Sequence, residues 1–163
     1  MTTTSSTGTA VDTTGGHGFV KVSGLIVAII GAIMLIGGAG TWVLVQSSLS
    51  DERITVSDDA SSNAGKAVNG PFTAYSEALV IEKHSLEASG GKTYAELDRE
   101  DPVRVVVMNG SFLRASLFTS VLAFGVSAMA MGLGLVQSLL GVSMRKLAGA
   151  RFAPWTLGTT WST

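Results

Sequence analysis

The residues that could do chemistry are few, and the histidines come first, because imidazole both ligates metals and carries protons near neutral pH. His84 has Glu87 three residues on and Glu77 in the same segment, while His17 stands in a Thr/Ser/Gly-rich stretch. A non-haem iron centre wants two histidines and a carboxylate, and only His84 sits where structure is expected. Zinc on three protein nitrogens is excluded on count, and haem between paired histidines is not expected, because only one of the two stands in expected structure. A loop-borne metalloenzyme built on His84 is the weakest of the functional readings; a solvated histidine is the ordinary one.

The other polar candidates thin out in the same way. Asp51–Glu52, Asp58–Asp59 and the group Asp98, Glu100, Asp101 could do acid–base work or bind calcium, but no EF-hand spacing occurs. Solvated charge is the default for them, and a docking surface for a basic partner is the second reading. Serines are numerous, yet no G-x-S-x-G elbow accompanies them. The stretch EASGGKT (87–93) does not satisfy the phosphate-loop pattern. Cysteine is absent, which removes thiol nucleophiles and thiolate metal sites. The net charge of −1 gives no field for nucleic acid. No catalytic, cofactor-binding or metal-ligating residue is therefore assigned, and no cofactor and no small-molecule substrate is expected.

The chain is rich instead in residues that build membrane helices. It is 46% hydrophobic and 14% charged over 163 residues, with mean hydropathy +0.41, more apolar than a soluble domain of this size. Residues 22–45 carry no charge, and at about 1.5 Å per residue they reach roughly 36 Å, enough to cross a hydrocarbon core of roughly 30 Å. Lys21 and Trp42 stand near the two ends as interface anchors. A signal peptide is the rival reading, but the run is longer than a usual h-region and lacks a strong basic cluster before it. Residues 115–144 form the second charge-free run, between Arg114 and Arg145–Lys146.

The expected fold is an all-α membrane protein: a two-span helical hairpin with a mostly helical extracytoplasmic loop domain. Its parts are a disordered cytoplasmic tail (1–20), transmembrane helix 1 (21–46), the loop domain (47–114), transmembrane helix 2 (115–144) and a cytoplasmic tail (145–163). The Arg145–Lys146 pair tips the distribution of cations toward both termini in the cytoplasm of a multi-pass plasma-membrane protein. In the loop, ERITV (52–56) reads as extended. Residues 71–89 read as an amphipathic helix with Phe72, Tyr75, Leu79 and Leu86 on one face, Pro71 in its first turn and Gly90–Gly91 at its stop. TYAE (93–96) reads as a capping box opening a short helix to Glu100. Asp101–Pro102 starts a helix that enters the second span, with a kink expected near Asn109–Gly110. In the C-terminal tail, Arg151, Phe152, Trp155 and Trp161 read as an interfacial anchor.

Glycine inside LIVAIIGAIMLIGGAGTWVLV (25–45) asks for a reason, because it weakens helices in water. In lipid, helices associate by close van der Waals approach, which small residues permit. Gly24, Ala28, Gly31 and Gly38 follow heptad steps with Leu35 in the gap. Ser116, Ser120, Ala123, Ser127, Ala130, Gly134 and Gly141 do the same in the second run, with Gln137 in the gap as a hydrogen-bond link to another helix. These two seams are expected to face each other. Gly125, Ala128 and Gly132 make a second stripe, and Gly37, Gly40 and Thr41 also lie off the seam. Two helices cannot bury two faces each against one another, so a further helical partner is expected.

Three segments carry a family likeness: SDERITVSDDA (50–60), AGKAVNGPFTAYSEALVIEKHSLEASGGKTYAELDREDP (64–102) and VMNGSFLRASLFTSVLAFGVSAMAMGLG (107–134). Over about residues 20–148 the chain resembles a family of small two-span actinobacterial membrane proteins. That family is often labelled aromatic ring-opening dioxygenase. It is also known as an accessory subunit of the actinobacterial cytochrome bcc–aa3 respiratory supercomplex. The first label demands metal ligands that this chain lacks. The second implies two spans, small-residue faces, an outward loop and no catalytic residues, with larger membrane subunits of a respiratory complex and lipid as partners. An envelope scaffold or sensor that self-associates is the alternative.

Overall fold

The structure, a computed structural model, describes residues 14–149. The expectations for residues 1–13 and for the tail bearing Arg151, Phe152, Trp155 and Trp161 lie outside the described residues, as does the His17 side chain.

Three helices and no strand make up the described residues: α1 (Thr14–Asp51), α2 (Pro71–Ala88) and α3 (Val103–Gly149). Helices α1 and α3 are long and apolar enough to cross a membrane. Their large side chains stand uncovered, Ile36 at 74% and Leu139 at 60% exposure, which water would not tolerate over so continuous a surface. Helix α1 begins at Thr14, inside the stretch expected to be disordered up to residue 20. Extending a helix by a turn from a strongly helical apolar segment costs little once that segment is formed.

The chain divides into two compact units, residues 1–32 with 134–163, and residues 33–133. In the first, the described parts of α1 and α3 meet through glycines, with no acidic residue among them. The second holds an apolar core of Leu49, Val56, Val68, Ala74, Ala78, Leu117 and Phe124.

Local chemistry explains the second unit's connections. The 52–56 segment, expected to be extended, is so only in part. Glu52 and Arg53 form a turn, with Arg53 at φ 52° and its N–H donating to Ser50 O. A single antiparallel bridge joins Thr55 to Ala67, flanked by Val56 N–H to Lys66 O and Val68 N–H to Ile54 O, each 2.8 Å. Helix α2 starts at Gly70–Pro71, where Thr73 Oγ1 accepts the Asn69 and Gly70 amides at 3.2 Å each. It stops at Gly90 and Gly91, whose φ of 64° and 85° favour glycine. Asp101 caps α3 by accepting the Val103 N–H at 2.9 Å.

Two expectations for this unit are corrected, the short helix after Thr93 and the buried face of α2. The short helix from Thr93 to Glu100 is a set of turns. Glu96 folds back so that its carboxylate accepts both the Thr93 N–H and hydroxyl at 2.8 Å, while the Glu96 N–H closes a turn onto Thr93 O. Helix α3 runs on through Asn109–Gly110 into the apolar run, and a Cβ on Gly110 would collide with the Ser85 hydroxyl of α2. Lastly, α2 buries Ala74, Ser76, Glu77, Ala78 and Val80, while Phe72 is 80% exposed and Tyr75 and Leu79 are also open. Alanines let the helix approach closely, and a carboxylate can be buried where donors meet it.

Candidate interaction surface

The expected seam on α1 is where the first unit's helices touch. Gly24 and Gly31 are buried and Ala28 is half-buried. A Cβ built on Gly31 would lie 2.6 Å from Gly134 O and from Ser138 N and Oγ; on Gly141 it would meet Gly24 O and Ala28. On Gly24 it would fall 2.8 Å from Gly141 O and 3.0 Å from Arg145 Cγ. No real side chain fits at such distances, so hydrogen at these positions is what lets the backbones approach.

The same periodicity continues in the second unit. Gly38 is buried, and a Cβ on it would lie 2.9 Å from Ser127 O and 2.8 Å from Met131 Cγ. Ser127 is buried and turns its hydroxyl to Ala123 O at 2.7 Å, so the polar atom is satisfied within its own helix. Ser120, Ala123 and Ala130 are half-buried, whereas Ser116 is exposed. Gln137 and Gly134 belong to the first unit. Gly134 is buried; Gln137 Oε1 is buried but accepts no hydrogen bond among the described residues, so the expected link to another helix is not made through that oxygen.

Sequence reasoning missed two contacts. Trp42, expected as an interface anchor, packs edge-on against the buried Phe124 with ring centroids 4.7 Å apart. Aromatic bulk at the end of a small-residue seam was the available signal. Ser138, adjacent to Gln137, is the residue that actually faces Gly31, and its buried hydroxyl has no hydrogen-bond partner among the described residues.

The off-seam small residues are a different surface. Gly37, Gly40, Gly125 and Gly132, all in the second unit, are exposed, and a Cβ built on any of them would meet nothing within 4 Å. Ala128 and Thr41 are exposed as well, Thr41 donating its hydroxyl to Gly37 O at 3.0 Å. Phe72 and Leu79 on α2 are also uncovered, whereas Tyr75, though partly exposed, packs edge-on against Phe118 of α3 with ring centroids 5.9 Å apart.

The polar groups of the second unit are occupied structurally. Glu77 accepts the Ser57 N–H at 2.9 Å, pinning the 57–63 loop to α2, while Asn63 Nδ2 donates to Ser76 Oγ at 3.0 Å. His84 Nε2 lies 3.0 Å from Asp59 Oδ2, and Lys83 Nζ is 2.8 Å from the same oxygen. Hydrogen bonds from Lys83 first, then His84, hold the Asp59 carboxyl down to about 2. An ammonium on that oxygen competes with any cation, and among the described residues no group of three or more histidines and carboxylates is gathered for a metal.

No family model, no curated protein and no solved structure matches this chain.

Proposed function

We propose that this chain is a non-catalytic two-span subunit of an actinobacterial cytochrome bcc–aa3 respiratory supercomplex, packing on larger membrane subunits to aid their assembly or stability. In this reading α1 and α3 form a plasma-membrane hairpin with both termini in the cytoplasm, and the 47–114 region covers an extracytoplasmic surface. Quinol oxidation and oxygen reduction belong to the partners. The resemblance of residues 50–60, 64–102 and 107–134 names the complex. The observation that carries the packing role is the open stripe of Gly125 and Gly132, with Gly37 and Gly40, left over after the seam has been used.

Affinity capture of the tagged chain from mild detergent tests this. Co-purification of haem-containing subunits is expected; the chain recovered alone, free of haem absorbance, overturns the reading. The same bare stripe also fits self-association as an envelope scaffold. Crosslinked homodimers without a hetero-complex, lost in Gly125→Leu, would establish that instead.

A further inference from the structure

The first unit contains a groove at the Gly24 end of the seam, apart from the exposed stripe of Gly125 and Gly132. Its volume is about 630 Å³, and it is lined by Lys21 and Arg145–Lys146 together with Val22, Leu25 and Val142. The three cations come from both long helices and are exposed. Among the described residues of this unit there is no carboxylate to neutralise them: apart from Asp12, every acidic residue of the chain lies within residues 51–101. Gly24 organises the site: its missing side chain admits the stem of Arg145 against α1. Next to the cations, Val22, Leu25 and Val142 line the groove with apolar surface where each helix runs into its charge-free span.

We infer that this groove binds an anionic diacyl phospholipid. The phosphate is held by Lys21, Arg145 and Lys146, and an acyl chain lies along Val22, Leu25 and Val142. Charge complementarity selects the occupant: a basic rim at the end of membrane helices attracts anionic headgroups, and a zwitterionic lipid would leave the rim's charge unbalanced. Clustered cations with adjoining apolar surface fit a lipid better than free phosphate, which would leave Val22, Leu25 and Val142 uncovered. The inference needs both helices in a membrane and does not depend on the respiratory partner, so failure of the capture experiment above leaves it standing.

Native mass spectrometry of the purified full-length chain tests it, with phosphatidylglycerol, phosphatidylcholine and inorganic phosphate titrated separately. Retention of phosphatidylglycerol over phosphatidylcholine is expected, with release as salt is raised. The variant K21Q/R145Q/K146Q should lower phosphatidylglycerol affinity by about 100-fold. Val142→Trp, which keeps the cations and fills the furrow, should weaken lipid retention while leaving any phosphate binding unchanged. Should the triple variant misfold, K21R/K146R must still retain phosphatidylglycerol, and salt must still release it from the unaltered chain. Equal retention of the two lipids, indifference to salt, unaltered affinity in the triple variant, or binding of inorganic phosphate without phosphatidylglycerol would each overturn the inference.

Discussion

Gly31 of α1 lies directly against Ser138 of α3, so closely that a Cβ on Gly31 would fall 2.6 Å from both the Ser138 amide nitrogen and its hydroxyl oxygen. Backbone at that distance cannot yield as the tip of a flexible side chain can. Gly31→Leu should therefore force the helices of that unit apart, at roughly 1–3 kcal/mol or more. Unfolding of the purified chain in mixed micelles measures this. Gly37→Leu is the control: its Cβ meets nothing, and its unfolding curve should overlay the parent. Equal sensitivity at both positions would contradict the seam.

Gly125 and Gly132 make the opposite prediction. Their surroundings are empty, so leucine at either should leave the chain's own stability unchanged while weakening capture of larger membrane subunits. Quantitative recovery of haem per tagged chain is the readout, and undiminished recovery would remove the stripe from the interface.

Glu77 is 7% exposed and accepts the Ser57 amide. Glu77→Ala leaves that donor without its partner and should destabilise the second unit by about 1–3 kcal/mol. Glu77→Gln retains an acceptor and should cost less. Hydrogen exchange at the Ser57 amide reports the difference, faster in the alanine variant than in the glutamine one.

Asp59 should titrate near 2, below its ordinary 3.8, because Lys83 and then His84 hydrogen-bond the ionised form. A carboxyl lowered on folding adds stability above its unfolded value, and that contribution fades as pH falls from about 4 through about 2. Carboxyl-carbon NMR of the solubilised chain gives the midpoint, and Lys83→Gln should move it upward. Lys83 itself is raised by the same bond, so its share disappears only as pH rises beyond 10.5. An Asp59 midpoint near 3.8 in the parent would show that the bond does not persist in solution.

The long helices and their glycine seam were legible because heptad spacing and small size act locally: Gly24, Gly31 and Gly38 are buried where the pattern put them. The face of α2 was not. Counting apolar side chains selected Phe72, Tyr75 and Leu79, whereas Ala74, Ala78 and Glu77 go inside. What decided it was close approach plus a donor from a distant residue, Ser57, and neither is visible in helical periodicity. Gly110 reads in the sequence only as a bend; that it also makes room for Ser85 of α2 depends on a contact between helices that helical spacing does not reveal. Thr93–Glu96 makes only half of the expected capping pair. Glu96 reaches back to the Thr93 N–H, but the Thr93 hydroxyl donates to the Glu96 carboxylate and the Glu96 amide goes to Thr93 O, so the pattern read as a helix start closes a turn instead.

The seven-residue interval between Gly24 and Gly31 also bears on how such a chain can change over evolutionary time. One amino acid gained or lost between them would swing one notch by about 100° around the α1 axis relative to the other. Point replacements on the lipid side should be freely accepted, but length changes here should survive only in multiples that restore the phase. A library of single-codon insertions and deletions across 25–30 would then be depleted of functional members.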